Sequence, residues 1–428
     1  TGKTFISDDG ANVSDDAVVT NTRGDVTSTV AGAAAANINY TAGTVNSSPN
    51  AGSVTLTANN TGGMTTVVTN NELLGNGLSA INLSALSATT ANSVTLVGYS
   101  SVTNVTGSIG ADTVVNSDGG DILSVPGTNS NDTYSLGTGT DTLSYAGNTH
   151  DALSGTGAAG ATTDGYAMNF TSATVTFDVA AVGSATNITT LAAGKVAQYD
   201  SSAVSSIATT AGNIVAGGEI DTVSGVEVVI GSGQGDYFAL ANTGMTVTGG
   251  AGVDIIVANS GDDTVIFADA TGDVINGYSA TDSITVQDAG IALANGATNG
   301  AVVAVTGADA AAVSGANDTV INLTQEVDAA AATTIDNYQA SPTGANLTAM
   351  ISAIVASNQG GEAFDGGLDA VLNDAGDIAV FVVHSGTDTV AFLYTGDGTD
   401  TTLEDAEVSI IGVFDSATTV THADFSIV

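Results

Sequence analysis

Two aspartates nine residues apart, each two positions after a glycine, constrain this chain more than any other feature. They are Asp254 and Asp263, in "GGAGVDIIVANSGDDTVIF" at 249–267. Ile256 and Val265 follow them at the same offset of two. A Gly-x-Asp turn here feeds a strand of about three residues, shorter than the usual strand of five or six. It can make a repeat. Six turn residues and three strand residues form one unit, with the central apolar side chain pointing inward. Two units return the chain to its starting side, and successive returns stack as parallel strands about 4.8 Å apart. Turns on one side then lie above one another and bring their carboxylates together. The expectation is an all-β chain, a parallel β-solenoid or β-roll with calcium-binding turns.

The period recurs. Residues 249–257 match Gly-Gly-x-Gly-x-Asp-x-U-x throughout, where U is a large apolar residue, and that unit is a known calcium-binding β-helix repeat. Upstream, "GSGQGDYFA" at 231–239 carries Asp236, 18 residues before Asp254. The unit between them has Met245 where the acid belongs, so its turn is expected to hold no ion. A second block spans 107–144: Asp112 and Asp121 are nine apart, as are Asp132 and Asp141. An insertion near Val125 and Pro126 makes both Asp112/Asp132 and Asp121/Asp141 20 residues apart.

Charge supports a cation. The 428 residues include 44 acids and three bases, Lys3, Arg23 and Lys195, for a net charge of −41. Phosphate recognition needs clustered Lys and Arg, so nucleic acid is excluded as a partner. A halophile's acid-saturated surface is a poor match for a chain only 11% charged. The acids are 37 Asp against seven Glu. Asp suits tight turns and oxygen-rich metal loops. Glycine adds permissive backbone and exposed carbonyls as further oxygen ligands.

These blocks resemble the RTX (repeats-in-toxin) proteins exported by the type I route of Gram-negative bacteria. The resemblance extends through "DTLSYAGN" (141–148), "ATVTFDVA" (173–180) and "GGEIDTVSGVEVVIGSGQGDYF" (217–238), similar to segments that lead into such repeats. "GDVINGYSATDSITV" (272–286) is similar to the exit segment, with Tyr278 for the usual Phe. "DIAVFVVHSGTDTVAFLY" (377–394) and the segment 406–428 look like its C-terminal strands. The resemblance implies several Ca²⁺ ions, with Asp112, Asp121, Asp132, Asp141, Asp236, Gly249, Ala251, Asp254, Asp263, Asp273 and Asp282 as candidate ligands. Composition, rich in Ala, Thr, Gly, Asn and Val, is most like RTX-type surface-layer proteins. That likeness implies an extracellular structural protein on a bacterial surface whose partner is further copies of itself. Any cell-surface polysaccharide would be held by a part the sequence does not identify. The alternatives are the calcium-binding part of a secreted enzyme or toxin, or a calcium-dependent adhesin.

The rest of the chain divides by pattern. Residues 1–105 carry short strands such as 53–58, 64–69, 80–85 and 93–98, suiting an irregular solenoid or, alternatively, a β-sandwich. Residues 106–150 form the first repeat block, 151–230 a β-rich connection, 231–290 the second block and 291–428 a C-terminal β-rich assembly or secretion domain. One helix is expected there, at 344–357, from Leu347, Met350, Ile351 and Ile354 on one face. No run of about 18 apolar residues exists to span a membrane, and no cleavable signal peptide is visible. No catalytic motif appears. Cysteine is absent, and His150, His384 and His422 belong to no H-E-x-x-H run. No G-x-S-x-G elbow exists. An enzyme is therefore not expected. The acidic cluster at 7–16 is either a solvated N-terminal arm or an inter-subunit Ca²⁺ site, and that at 397–405 is either a calcium loop or an acidic hairpin.

Overall fold

A computed structural model describes residues 104–107, 111–115, 120–125, 131–146, 164–176, 190–200, 213–214, 220–287, 303–305, 319–326, 329–340, 342, 344–358, 378–385, 388–395, 404–415, 420 and 424–427, plus the backbone course of eight strands between residues 3 and 97. These residues are mostly strand, and most strand pairs are parallel. The chain divides into two compact units. The first comprises 1–172, 191–199 and 214–232; the second comprises 173–190, 200–213 and 233–428.

In the first unit alternate strands join alternate sheets. Lys3–Asp8, Val26–Gly32, Gly52–Asn60, Leu78–Asn82, Asn104–Thr106, Ile122–Ser124, Thr142–Ser144 and Val228–Ile230 pair in that order, all parallel. The strands between them, Asp15–Asn21, Ala36–Ala42, Met64–Thr69, Asn92–Val97, Asp112–Val115, Thr133–Ser135 and Ile220–Ser224, form a second parallel sheet. The strands expected near 53–58, 64–69, 80–85 and 93–98 are present. Each strand pairs with the next but one, and the pairs are parallel rather than antiparallel.

The repeat strands are short because only their central side chain is needed for the core. Val114, Tyr134 and Val223 stack inward from one sheet, and Leu123, Leu143 and Val229 from the other, all buried. In the second unit the inward columns are Phe238, Ile256 and Ile275, and Val247, Val265 and Ile284.

The second unit then departs from the repeat. The hairpin Ile378–Ser385 and Asp388–Thr395 pairs antiparallel and continues antiparallel into Val408–Asp415. That last strand turns parallel to Asp273–Asn276, and Phe425–Ile427 lies parallel to Ser283–Val286. The expected helix is present as α2, Gly344–Asn358. The sequence reading missed α1, Ala329–Ala340. Its only large apolar residues are Ile335 and Tyr338, too few for a helical stripe. Ile335, Tyr338, Met350 and Ile354 from the two helices pack with Ile255, Val274, Phe381, Phe392 and Val413 in one core. Tyr338 also donates its hydroxyl hydrogen to the Gly272 carbonyl, at 2.5 Å. Among the described residues no helix is long and apolar enough to cross a membrane.

Candidate functional site

Every candidate aspartate of both blocks is buried, at 4% exposure or less. The reason is local. Each Asp stands where a turn meets a strand, and in Asp132, Asp141, Asp254, Asp263, Asp273 and Asp282 the Oδ1 accepts the backbone N–H at the same position of the preceding stacked turn. Asp254 accepts from Asp236 N at 2.7 Å, and Asp273 from Asp254 N at 2.9 Å. On the other side, Asp263 accepts from Met245 N and Asp282 from Asp263 N, both at 2.8 Å. In the first unit Asp132 accepts from Asp112 N and Asp141 from Asp121 N, both at 2.6 Å. The acids are thus rungs of ladders that tie turn to turn, a backbone role the sequence reading did not assign.

Two rungs were missed. Asp132 N donates to Asp221 Oδ1 at 2.8 Å, and Asp141 N to Glu227 Oε2 at 3.0 Å. They lie 89 and 86 residues further along the chain. An inserted segment separates the stacked turns, so no nine-residue spacing survives. A signal existed nonetheless: Asp221-Thr-Val repeats the Asp-Thr-apolar signature of Asp112, Asp132, Asp141 and Asp263.

The second carboxylate oxygens divide the rungs. Oδ2 of Asp141, Asp254 and Asp263 is buried with no hydrogen-bond partner. Asp282 Oδ2 accepts Ser279 N at 2.7 Å, and Asp132 Oδ2 accepts the Tyr134 hydroxyl at 2.6 Å. Both oxygens of those two groups are therefore engaged. Asp254 Oδ2 lies against its own turn: a Cβ placed on Gly249 would stand 2.0 Å from it, so a larger residue there would have to displace that carboxylate. Gly252 has φ +101° and sits so close to Gly235 N of the preceding turn that an added Cβ would be 2.5 Å away. Gly249 is buried in that turn, whereas Ala251 is exposed.

Burial makes these groups poor carriers of charge. It raises Asp254 and Asp273 well above the ordinary carboxylate range; Asp273 and Asp236 push Asp254 further, and Asp269 and Asp236 push Asp273. Asp263 is raised by burial. Burial and then Asp221 lift Asp132 to about 8, and burial with Glu227 beside it lifts Asp141 to about 6. Stacked carboxylates in this setting need a proton or a cation to coexist at neutral pH.

A calcium ion fits part of this donor set. Ca²⁺ takes six to eight oxygens and accepts backbone carbonyls as readily as carboxylates. The orphaned Oδ2 atoms of Asp141, Asp254 and Asp263 are hard anionic donors awaiting a partner. Among the described residues no three His, Asp or Glu side chains converge as a ready cage. An ion between turns would combine carboxylates with turn carbonyls.

A scan against protein-family models finds no match for the chain, and a search of curated proteins finds none at a significant level.

The remaining candidates separate as follows. Met245 occupies an acid's place with its thioether buried, and Sδ accepts Ala241 N at 3.3 Å. Tyr278, in the usual Phe position, packs edge-on to Phe414 with centroids 5.3 Å apart. Its hydroxyl donates to the Asp282 carbonyl at 3.0 Å, a bond Phe lacks. His384 Nδ1 lies 3.0 Å from Thr389 Oγ1, and burial lowers its pKa. Glu404 N donates to Glu407 Oε2 at 3.0 Å, and Ser352 donates to Asp405, so this end of the 397–405 cluster closes a turn. Asp9, His150, Asp397, Asp400 and His422 lie outside the described residues.

Proposed function

We propose that the chain is a secreted structural protein whose calcium-loaded β-roll assembles, copy on copy, into a surface layer or extracellular filament on a bacterial cell. The observation that carries this reading is the stack of buried turn aspartates with orphaned second oxygens, in a chain with 44 acids and three bases. Such a chain cannot neutralise itself through salt bridges. Calcium closes turns within one molecule, and further calcium bridges acidic faces between molecules. The ladder residues carry no catalytic geometry in this reading; they hold backbone in register and present oxygen to a cation. RTX-like export by the type I route suits a chain that stays unfolded where calcium is scarce.

The test is assembly in three salts. Sodium screens repulsion over about 10 Å at 0.1 M ionic strength but makes no contact. Mg²⁺ keeps its waters and demands octahedral geometry. Ordered assemblies are expected by light scattering and negative-stain microscopy in millimolar Ca²⁺, and not in matched NaCl or MgCl₂. A chain that stays monomeric in Ca²⁺ at high concentration refutes the lattice.

A calcium-dependent adhesin is the second reading, and one observation favours it. The parallel register places Thr65, Ser93, Thr113, Thr133 and Thr222 in one column, although they are scattered in sequence. Thr113 and Thr133 are exposed. A monomer that is retained on cell-wall polysaccharide only in Ca²⁺ would select this reading over the lattice.

A further inference from the structure

We infer that the two sides of the first unit's repeat stack differ in kind: the column Asp112–Asp132–Asp221 is a tyrosine-locked seam that takes no calcium, while the column through Asp141 is the one open to an ion. The inference rests on the calcium reading only for the ions it excludes. Asp132 is held at both oxygens, by Asp112 N at 2.6 Å and by the Tyr134 hydroxyl at 2.6 Å. Asp221 is held the same way, by Asp132 N at 2.8 Å and by the Tyr145 hydroxyl at 2.9 Å. All four side chains are buried, at 1% exposure or less. An ion reaching either Oδ2 would meet a phenol hydrogen already donated to it, inside a packed core with no room to turn the ring away. Tyr145 is fixed further by Tyr166, whose ring centroid is 4.3 Å off.

On the opposite side Asp141 lacks this device. Asp141 Oδ1 accepts from Asp121 N, and its buried Oδ2 has no partner. Among the described residues no tyrosine hydroxyl donates to Asp141. In the second unit Asp254 and Asp263 share that state. Of the two tyrosines, Tyr134 fills the inward strand position that is aliphatic in the neighbouring repeats, Val114 and Val223. A phenol there replaces what a cation would otherwise supply, a donor for the second oxygen. The seam therefore keeps Asp112–Val115, Thr133–Ser135 and Ile220–Ser224 in register whether or not calcium is present.

The experiment uses the full chain. Bound Ca²⁺ is counted by native mass spectrometry in wild type, Asp132→Asn and Asp254→Asn. The expected result is an unchanged count for Asp132→Asn and a loss of at least one ion for Asp254→Asn. A lower count for Asp132→Asn overturns the seam. If Asp132→Asn does not fold, Tyr134→Phe answers the same question: an equal or higher count supports the seam and a lower one overturns it. Hydrogen exchange in EGTA is the second readout. Exchange over 112–115, 133–135 and 220–224 should accelerate about tenfold or more when Tyr134 and Tyr145 are both changed to Phe, since each change removes a buried hydrogen bond to a carboxyl oxygen. Unchanged exchange overturns the seam. Should the wild type bind no calcium, the calcium reading fails by itself, and the exchange result alone then decides the seam.

Discussion

At the scale of the residue, the turn aspartate has two jobs that its two oxygens divide. Oδ1 satisfies a buried backbone N–H, which would otherwise carry a desolvation penalty of about 1–3 kcal/mol. Oδ2 is engaged by a hydroxyl or backbone donor in Asp132 and Asp282, and stands without one in Asp141, Asp254 and Asp263. Asp254→Ala should therefore destabilise the second unit by about 1–3 kcal/mol even in chelator, through the orphaned Asp236 N. Asp262→Ala, beside a ladder residue but exposed, should stay within about 0.5 kcal/mol. Urea melts of the two variants check this, and equal shifts would contradict the ladder. Gly249→Ala probes the same carboxylate from the other side. Its methyl would stand 2.0 Å from Asp254 Oδ2, so a loss of about 1–3 kcal/mol from overpacking is expected. Calcium affinity should fall in parallel, since the displaced oxygen is the candidate ligand.

At the scale of the element, α1 and the hairpin against it hold a titratable contact outside the repeats. Asp388 begins the strand Asp388–Thr395, opposite Asp415 in register, and is buried. Burial first, then a hydrogen bond with Asp336 of α1 and the charge of Asp415, raise Asp388 to about 6. A free Asp titrates near 3.9. The folded value lies above the unfolded one, so this group's stabilisation is fully present below about pH 4 and is lost as pH rises through about 6. Asp388→Asn, which keeps the shape and removes the charge, should flatten the decline in stability between pH 4 and 7. Chemical denaturation at several pH values in constant chelator measures it. A variant with the wild-type slope would remove Asp388 from the account.

At the scale of the whole molecule, a net charge of −41 with three bases makes folding a question about counterions. Extracellular calcium modules bind at about 10⁻⁴–10⁻³ M, and an ion that binds only the folded state stabilises it by mass action. Chelation by EGTA at neutral pH is expected to lower the melting temperature by many degrees and to diminish the β signal in circular dichroism. Millimolar Ca²⁺ should restore both. An EGTA titration that leaves the signal and the melting temperature unchanged would show that the ladders stand without a cation.

What could be read from the sequence alone was local and periodic. Asp254 and Asp263 nine apart implied short parallel strands with buried Ile256 and Val265, and the structure has them. The single apolar face at 344–357 implied α2. These signals survive because a repeat restates its own register every nine residues. Other features exist only once the chain is folded. Asp221 and Glu227 join the ladders across an insertion, where spacing carries no information. α1 has two apolar anchors and no stripe, so packing against Phe381 and Val274 decides it. Whether a carboxylate is open or closed depends on what reaches its second oxygen. Tyr134 closes Asp132 from two residues away, but Tyr145 closes Asp221 from 76. A nine-residue period can place an aspartate in a turn; only the packed core decides whether that aspartate meets a phenol or is left open to an ion.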